Sequence, residues 1–249
     1  MPTSFHFFRI VRFPPGSRFE TTEQLSLLAD DEQNQEAAST TVTLTSDKFL
    51  DGAARYFVNH DFLVHLSSPG RARHMTFREY VTQYDFPSYR THGGERFPCL
   101  VVRTKVKVAG DLVDRLNKKM NGAFEAEPLA VDFAKLRPLV TNIGGAWFGE
   151  MKAANINTTG LFGPHVDKSK EFKHAEDIGK LNALLLSYPY RDQGYMVMVT
   201  RNGGLVLYDN FDAEESPLAV ALDIRDKLLD RAWADPKAEK GKGRGQGRA

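Results

Sequence analysis

The chain contains a single cysteine, Cys99, among 249 residues, so no internal disulfide can staple it. The setting of that cysteine, "FPCLVVRTKV", reads as a core strand, which predicts a buried, inert thiol in a reducing compartment. Apolar runs are short as well, and none approaches the roughly 18 residues of a membrane span. The opening "MPTSFHFFRIVRF" lacks the basic lead and apolar stretch of a secretory signal and reads as a strand. A cytoplasmic protein without membrane contact is expected. Excess charge is scarce too, at a formal net +1, and that balance excludes a broadly basic nucleic-acid binder.

Several catalytic signatures are missing. There is no G-x-x-x-x-G-K-S/T, no G-x-G-x-x-G after a strand, no G-x-S-x-G and no H-E-x-x-H. Their absence removes the simplest nucleotide-hydrolase, Rossmann, α/β-hydrolase and metalloprotease readings.

What is present is an ordinary globular composition, 41% hydrophobic and 26% charged, with 17 Phe to bury. A chain of this length builds a core without a metal or disulfide. Strand-like runs interspersed with helical ones, without regular βαβ alternation, predict an α+β fold. Its sheet should be mixed or mainly antiparallel, with helices packed on it, a C-terminal helix and a disordered basic tail. Lobes at 1–90 and 91–234, which can form a single domain, followed by a tail at 235–249, are the expected organisation.

Helical spacing of Phe49, Leu50, Ala53, Ala54, Phe57 and Val58 behind Ser46 predicts a helix over 47–58. Thr76 and Glu79 stand at capping-box spacing and predict a short helix there. Residues 29–40 are polar and read as a loop. The β-branched run Leu100–Val108 leads into a helix at about 110–121, stopped by Gly122. A strand at 181–190 and a hairpin around Asn202-Gly203-Gly204 follow. Ser216 and Pro217 then open a helix over 217–233.

Four stretches carry candidate chemistry. In "AWFGEMKAANI", residues 146–156, strand alternation turns Glu150 and Lys152 to one face. Over about ten residues this stretch resembles the strand of PD-(D/E)xK metal-dependent nucleases. The resemblance implies that Asp132 and Glu150 hold Mg²⁺ while Lys152 orients water, with Glu127 an alternative acid. No cofactor other than that conditional Mg²⁺ is expected. The solvated face of an ordinary strand has the same pattern.

A second stretch, 155–177, reads as a long loop suited to a protein partner. Its His165, Asp167 and His174 lack the spacing of a zinc site. Third, "SPGRARHMTFREY" combines Arg71, Arg73, His74 and Arg78 with Phe77 and Tyr80, the phosphate-pairing and stacking groups used against nucleic acid. Fourth, the last 15 residues carry five Lys/Arg against Asp235 and Glu239. Within them Lys240, Lys242, Arg244 and Arg248 alternate with Gly as in polyanion-binding tails.

The leading expectation is a noncatalytic nucleic-acid-binding or scaffold protein of prokaryotic type, working with an enzymatic partner. A Mg²⁺-dependent nuclease is the alternative. A third reading is a protein-interaction or homo-oligomer-forming domain that uses 155–177 and the hairpin at 194–211.

Overall fold

The computed structural model describes residues 2–26, 35–50, 52–72, 75–91, 97–153 and 155–234. The fold is α+β and mostly sheet, with helices packed on antiparallel strands. It divides into two compact units. The first comprises Phe8–Gly93 and Phe97–Glu127; the second comprises Met1–Phe7, Gly94–Arg96 and Pro128–Ala249. Strand β1 (Thr3–Arg12) contributes its opening residues to the second unit and those from Phe8 onward to the first.

In the first unit the strand order is β2 (Arg18–Ser26), β3 (Gln35–Leu50), β4 (Ala53–Ala72), β5 (Met75–Thr91), β6 (Cys99–Val102), β1. The pairings from β2 through β6 are all antiparallel. Helix α1 (Val106–Lys119) buries Val108, Ala109, Leu112, Val113 and Leu116 at the three- and four-residue spacing of one helical face. That stripe joins Phe8, Ile10, Val42, Tyr56, Val58, Phe86, Leu100 and Val102 in one apolar core. Lys118 and Lys119 in the last turn complement the helix dipole. Gly122, at φ +79°, follows the helix in the left-handed region. The short β7 (Glu125–Pro128) pairs with β1.

In the second unit the order is β1, β12 (Gly204–Leu207), β11 (Gln193–Thr200), β10 (Lys180–Tyr190), β8 (Ile143–Ala153), β9 (Ile156–Phe162). The helices are α2 (Phe133–Leu136), α3 (Lys170–Ile178), α4 (Glu215–Ile224) and α5 (Asp230–Ala232), and a π-helical segment, Arg225–Leu229, joins the last two. Helix α4 packs on β10 and buries Leu218, Val220, Ala221, Leu222 and Ile224. Phe172 of α3 meets Phe148 of β8 edge to face at 5.2 Å.

Four local expectations are corrected. Residues 47–58 are not a helix: β3 runs to Leu50, Gly52 turns the chain at φ +71°, and β4 begins at Ala53. The burial there has period two, with Ala54, Tyr56, Val58 and His60 buried and Phe57 40% exposed, a strand's pattern. The segment after Thr76 belongs to β5 and pairs with β4, so the capping-box spacing caps nothing. The stretch 155–177 is largely structured, as β9, a 3₁₀ turn at Val166–Lys168 and α3. Ser169 Oγ caps α3 by accepting the Phe172 N–H at 3.0 Å. In the expected loop 29–40, the residues from Gln35 belong to β3, and residues 29–34 lie outside the described ones.

The helix expected at 110–121 begins earlier, at Val106. The one expected over 217–233 spans α4, the π segment and α5. The hairpin forms as read, with β11 and β12 flanking the turn. Gly203 there has φ +71°, and a Cβ on it would stand 2.4 Å from the Leu129 carbonyl oxygen. Gly203→Ala therefore combines left-handed strain with a backbone clash, and a loss of about 2–4 kcal/mol is expected in urea unfolding. A stability equal to that of the native chain contradicts this reading of the turn.

Candidate nucleic-acid interface

Strands β3 and β4 pair from Leu50↔Ala53 to Thr40↔His60, whereas β6 meets β5 only at Ser88–Thr91. Beyond His60, β4 and β5 pair with each other through His65↔Glu79. After an irregularity they pair again at Gly70↔Phe77, Arg71↔Thr76 and Ala72↔Met75. Residues 61–72 and 75–83 thus form a two-stranded ribbon that continues past the sheet. At ~3.3 Å per residue it reaches roughly 30–35 Å.

An isolated two-stranded ribbon is marginally stable in water, so its root must be held. A closed ring of polar side chains stands at the last β3–β4 pair. Arg115 Nη1 donates to Thr40 Oγ1 at 3.4 Å, and the Thr40 hydroxyl lies 2.8 Å from His60 Nδ1. His60 Nε2 lies 3.0 Å from Asp111 Oδ2, which also accepts from Arg115 Nη2 at 3.2 Å. With the ring proton assigned to Nε2, the Thr40 hydroxyl donates to Nδ1 and these donors and acceptors are matched. Thr40 and His60 are fully buried, and Arg115 nearly so.

The ring joins β3, β4 and α1. Glu23 of β2 adds to it, 3.9 Å from Arg115 Nε and 3.0 Å from Lys119 Nζ. Burial alone raises the Asp111 carboxyl above its ordinary range. The His60 hydrogen bond and the charges of Arg115 and Lys118 outweigh that and leave it lowered.

Further contacts stiffen the first residues of the ribbon. Asp61 Oδ2 accepts from the backbone N–H and the hydroxyl of Ser39 at 2.9 and 3.1 Å. Across the two strands, Asn59 Nδ2 donates to Asp85 at 2.7 Å and Gln83 Nε2 donates to Asn59 at 3.0 Å. Phe62 and Tyr84 meet edge to face at 6.0 Å, with the Lys105 ammonium 5.6 Å from the Tyr84 ring centre.

Of the residues read as nucleic-acid contacts, Arg71 occupies the second pair from the end of the ribbon, opposite Thr76. Arg78 lies in β5 between Phe77 and Glu79. Arg73, His74, Lys240, Lys242, Arg244 and Arg248 lie outside the described residues.

The nuclease candidates have other engagements. Asp132 caps α2, accepting the Ala134 N–H at 3.0 Å, and lies 3.8 Å from Lys135 Nζ. Glu127 pairs with Arg9 at 2.5 Å. Glu150 has φ +52° and pairs with Lys180 Nζ at 3.3 Å. The register of β8 with β9 shifts between Gly149 and Ala153. The alternation that was to align Glu150 with the exposed Lys152 is therefore interrupted at Glu150 itself.

His165 and His174 are exposed. Among the described residues no group of three or more His, Cys, Asp or Glu could hold a metal ion. Cys99 is buried, as expected from its strand.

The sequence reading missed the ring. Its one visible trace is Asp111 and Arg115 at i,i+4 on α1, the spacing and orientation of a stabilising helical ion pair.

No protein-family model matches the chain, and comparison with curated proteins finds no match. No helix among the described residues is long and apolar enough to cross a membrane.

His60→Ala opens a cavity and breaks the ring, and should cost about 2–4 kcal/mol in chemical unfolding. The Asp111 contribution has a definite sign in pH. Because its folded pKa is lowered, the stabilisation is fully present above the unfolded value of about 3.9 and is lost as pH falls through the folded one. The stability difference between the native chain and Asp111→Asn should therefore be constant from pH 7 to 5 and shrink below pH 4. A difference that does not change with pH in urea titrations contradicts this role.

Proposed function

We propose that this protein binds duplex DNA without catalysis, through the outer part of the β4–β5 ribbon. The observation that carries the proposal is the two-stranded ribbon bearing Arg71 and Arg78 near its end. Two paired strands lie about 4.8 Å apart and fit the major groove of B-DNA, which is ~12 Å wide. The deep, narrow major groove of A-form RNA does not admit them. Residues 71–78, "RARHMTFR", hold three arginines and no acid, so the cationic charge is concentrated on one narrow element. Basic residues of the tail would add sequence-independent contacts to phosphates. A scaffold of this kind serves an enzymatic partner by holding the duplex for it.

The experiment is fluorescence anisotropy with a labelled duplex over a salt series. Binding should weaken with salt, and replacing Arg71, Arg73 and Arg78 with Ala should lower the slope of log K against log salt by roughly 2–3, at ~0.9 per phosphate contact. Equal affinity and slope for the two proteins would sink the proposal, and tighter binding to duplex RNA would sink the DNA assignment.

One observation favours self-association as a second reading. Strand β9 ends the strand order of its unit. Phe162 on it is 65% exposed, supported on one side by Trp147 at 5.1 Å, and an uncovered edge of this kind is a pairing surface. Light scattering should then give a dimer mass that Phe162→Lys reduces to the monomer.

A further inference from the structure

The second unit contains a cleft of about 410 Å³ that the nucleic-acid reading does not use. It is lined by the segment following α2, the end of β10, and the π-helical turn with α5. Ser187 and Tyr188 line it at the end of β10, Thr141 lines it from the segment following α2, Lys227 and Arg231 bring cations, and Leu228 contributes apolar wall. The volume lies within the 300–1,000 Å³ range of small-molecule sites.

The charges in the cleft are unequally committed. Asp223 Oδ2 accepts the Tyr188 phenol at 2.5 Å, while its Oδ1 pairs with Lys227 Nζ at 2.9 Å. Burial and the Asp223 carboxylate push the Tyr188 phenol well above its ordinary range, so it stays protonated and its proton is held by Asp223. Lys227 and Asp223 offset each other. Arg231 is exposed and has no ion-pair partner among the described residues. The unspent donors are the Arg231 guanidinium, the remaining Lys227 N–H groups and the hydroxyl of Thr141. They suit a ligand that only accepts.

A second observation is independent of the charges. Lys227 and Leu228 belong to the π-helical segment Arg225–Leu229. Such turns are rare and are frequently found at functional sites.

We infer that this cleft binds a small oxyanion ligand, a phosphate monoester or a carboxylate on a compact apolar body. Arg231 forms the principal contact, Lys227 and Thr141 donate to the remaining oxygens, and the apolar wall takes the body. Asp223 holds Tyr188 and Lys227 in place and, as a carboxylate near the site, opposes the anion.

The test is NMR titration of the full chain with inorganic phosphate, phenyl phosphate and benzoate. Saturable shifts should map to 139–141, 187–189 and 227–231, and the two ligands with rings should bind more tightly than phosphate. Arg231→Ala and Arg231→Gln should each weaken binding about tenfold or more. Asp223→Asn should strengthen it severalfold, because removing the carboxylate raises the local positive potential; a merely structural Asp223 predicts the opposite sign. The inference is overturned if all three probes bind more weakly than roughly 10 mM, or if both Arg231 variants, folded by circular dichroism, bind as the native chain does. A preference between phenyl phosphate and benzoate assigns the headgroup.

Discussion

The buried ring Arg115–Thr40–His60–Asp111 is the constraint on which the first unit turns. Its members come from three elements that the core alone would leave free to slide: β3, β4 and α1. Apolar packing is non-directional and tolerates small shifts of a helix over a sheet. A chain of hydrogen bonds between fixed partners does not. A one-residue slip of β4 against β3 would turn His60 to the other face, leaving the buried Thr40 hydroxyl and the Asp111 carboxylate without it. Such desolvated groups cost about 1–3 kcal/mol each when unpaired. The ring thus fixes register where the sheet ends and the ribbon begins.

Much of the fold was legible, and the failures have physical causes. The passage from β6 into α1 was readable because a β-branched run gives way to helical spacing and Gly122 closes the helix. The β11–β12 hairpin was readable from Gly203, whose positive φ excludes most other residues. In contrast, residues 49–58 fit both periods on paper. Only the buried Tyr56 beside the exposed Phe57 decides for a strand, and that burial follows from pairing with β3 and β5, which local spacing does not report. Helix α3 escaped because Phe172 and Ala175 are the only buried residues in its nine, too few to show a period. The ring was illegible for a related reason: Thr40, His60 and Asp111 are brought together by register and helix docking, and neither is a local property.

Glu-x-Lys illustrates how a short motif depends on backbone it does not specify. The pairing of Glu150 with Lys152 assumes unbroken alternation, and the left-handed conformation at Glu150 removes it. Asp132, the expected metal partner, spends one oxygen on the α2 cap and pairs the other with Lys135. Each residue is accounted for by local needs, a cap in one case and a surface ion pair with Lys180 in the other. A nuclease needs two carboxylates converging on one ion, whereas Asp132 and Glu150 are engaged with Lys135 and Lys180.

Electrostatics explains why a ribbon is the suitable device for this composition. With a formal charge of +1 over the whole chain, the protein has no extended field to draw a polyanion from a distance, and at physiological salt that field would be screened beyond ~8 Å anyway. In the binding proposed above, recognition is therefore made at contact, by the few cations of residues 71–78. A ribbon does this only if its root is stiff, since every degree of freedom frozen on binding subtracts from affinity. The ring at His60 and the cross-strand contacts of Asn59, Asp61 and Tyr84 freeze the root during folding. On the proposed reading, Arg71 and Arg78 act from a fixed base, and residues that do not touch the ligand set part of its affinity.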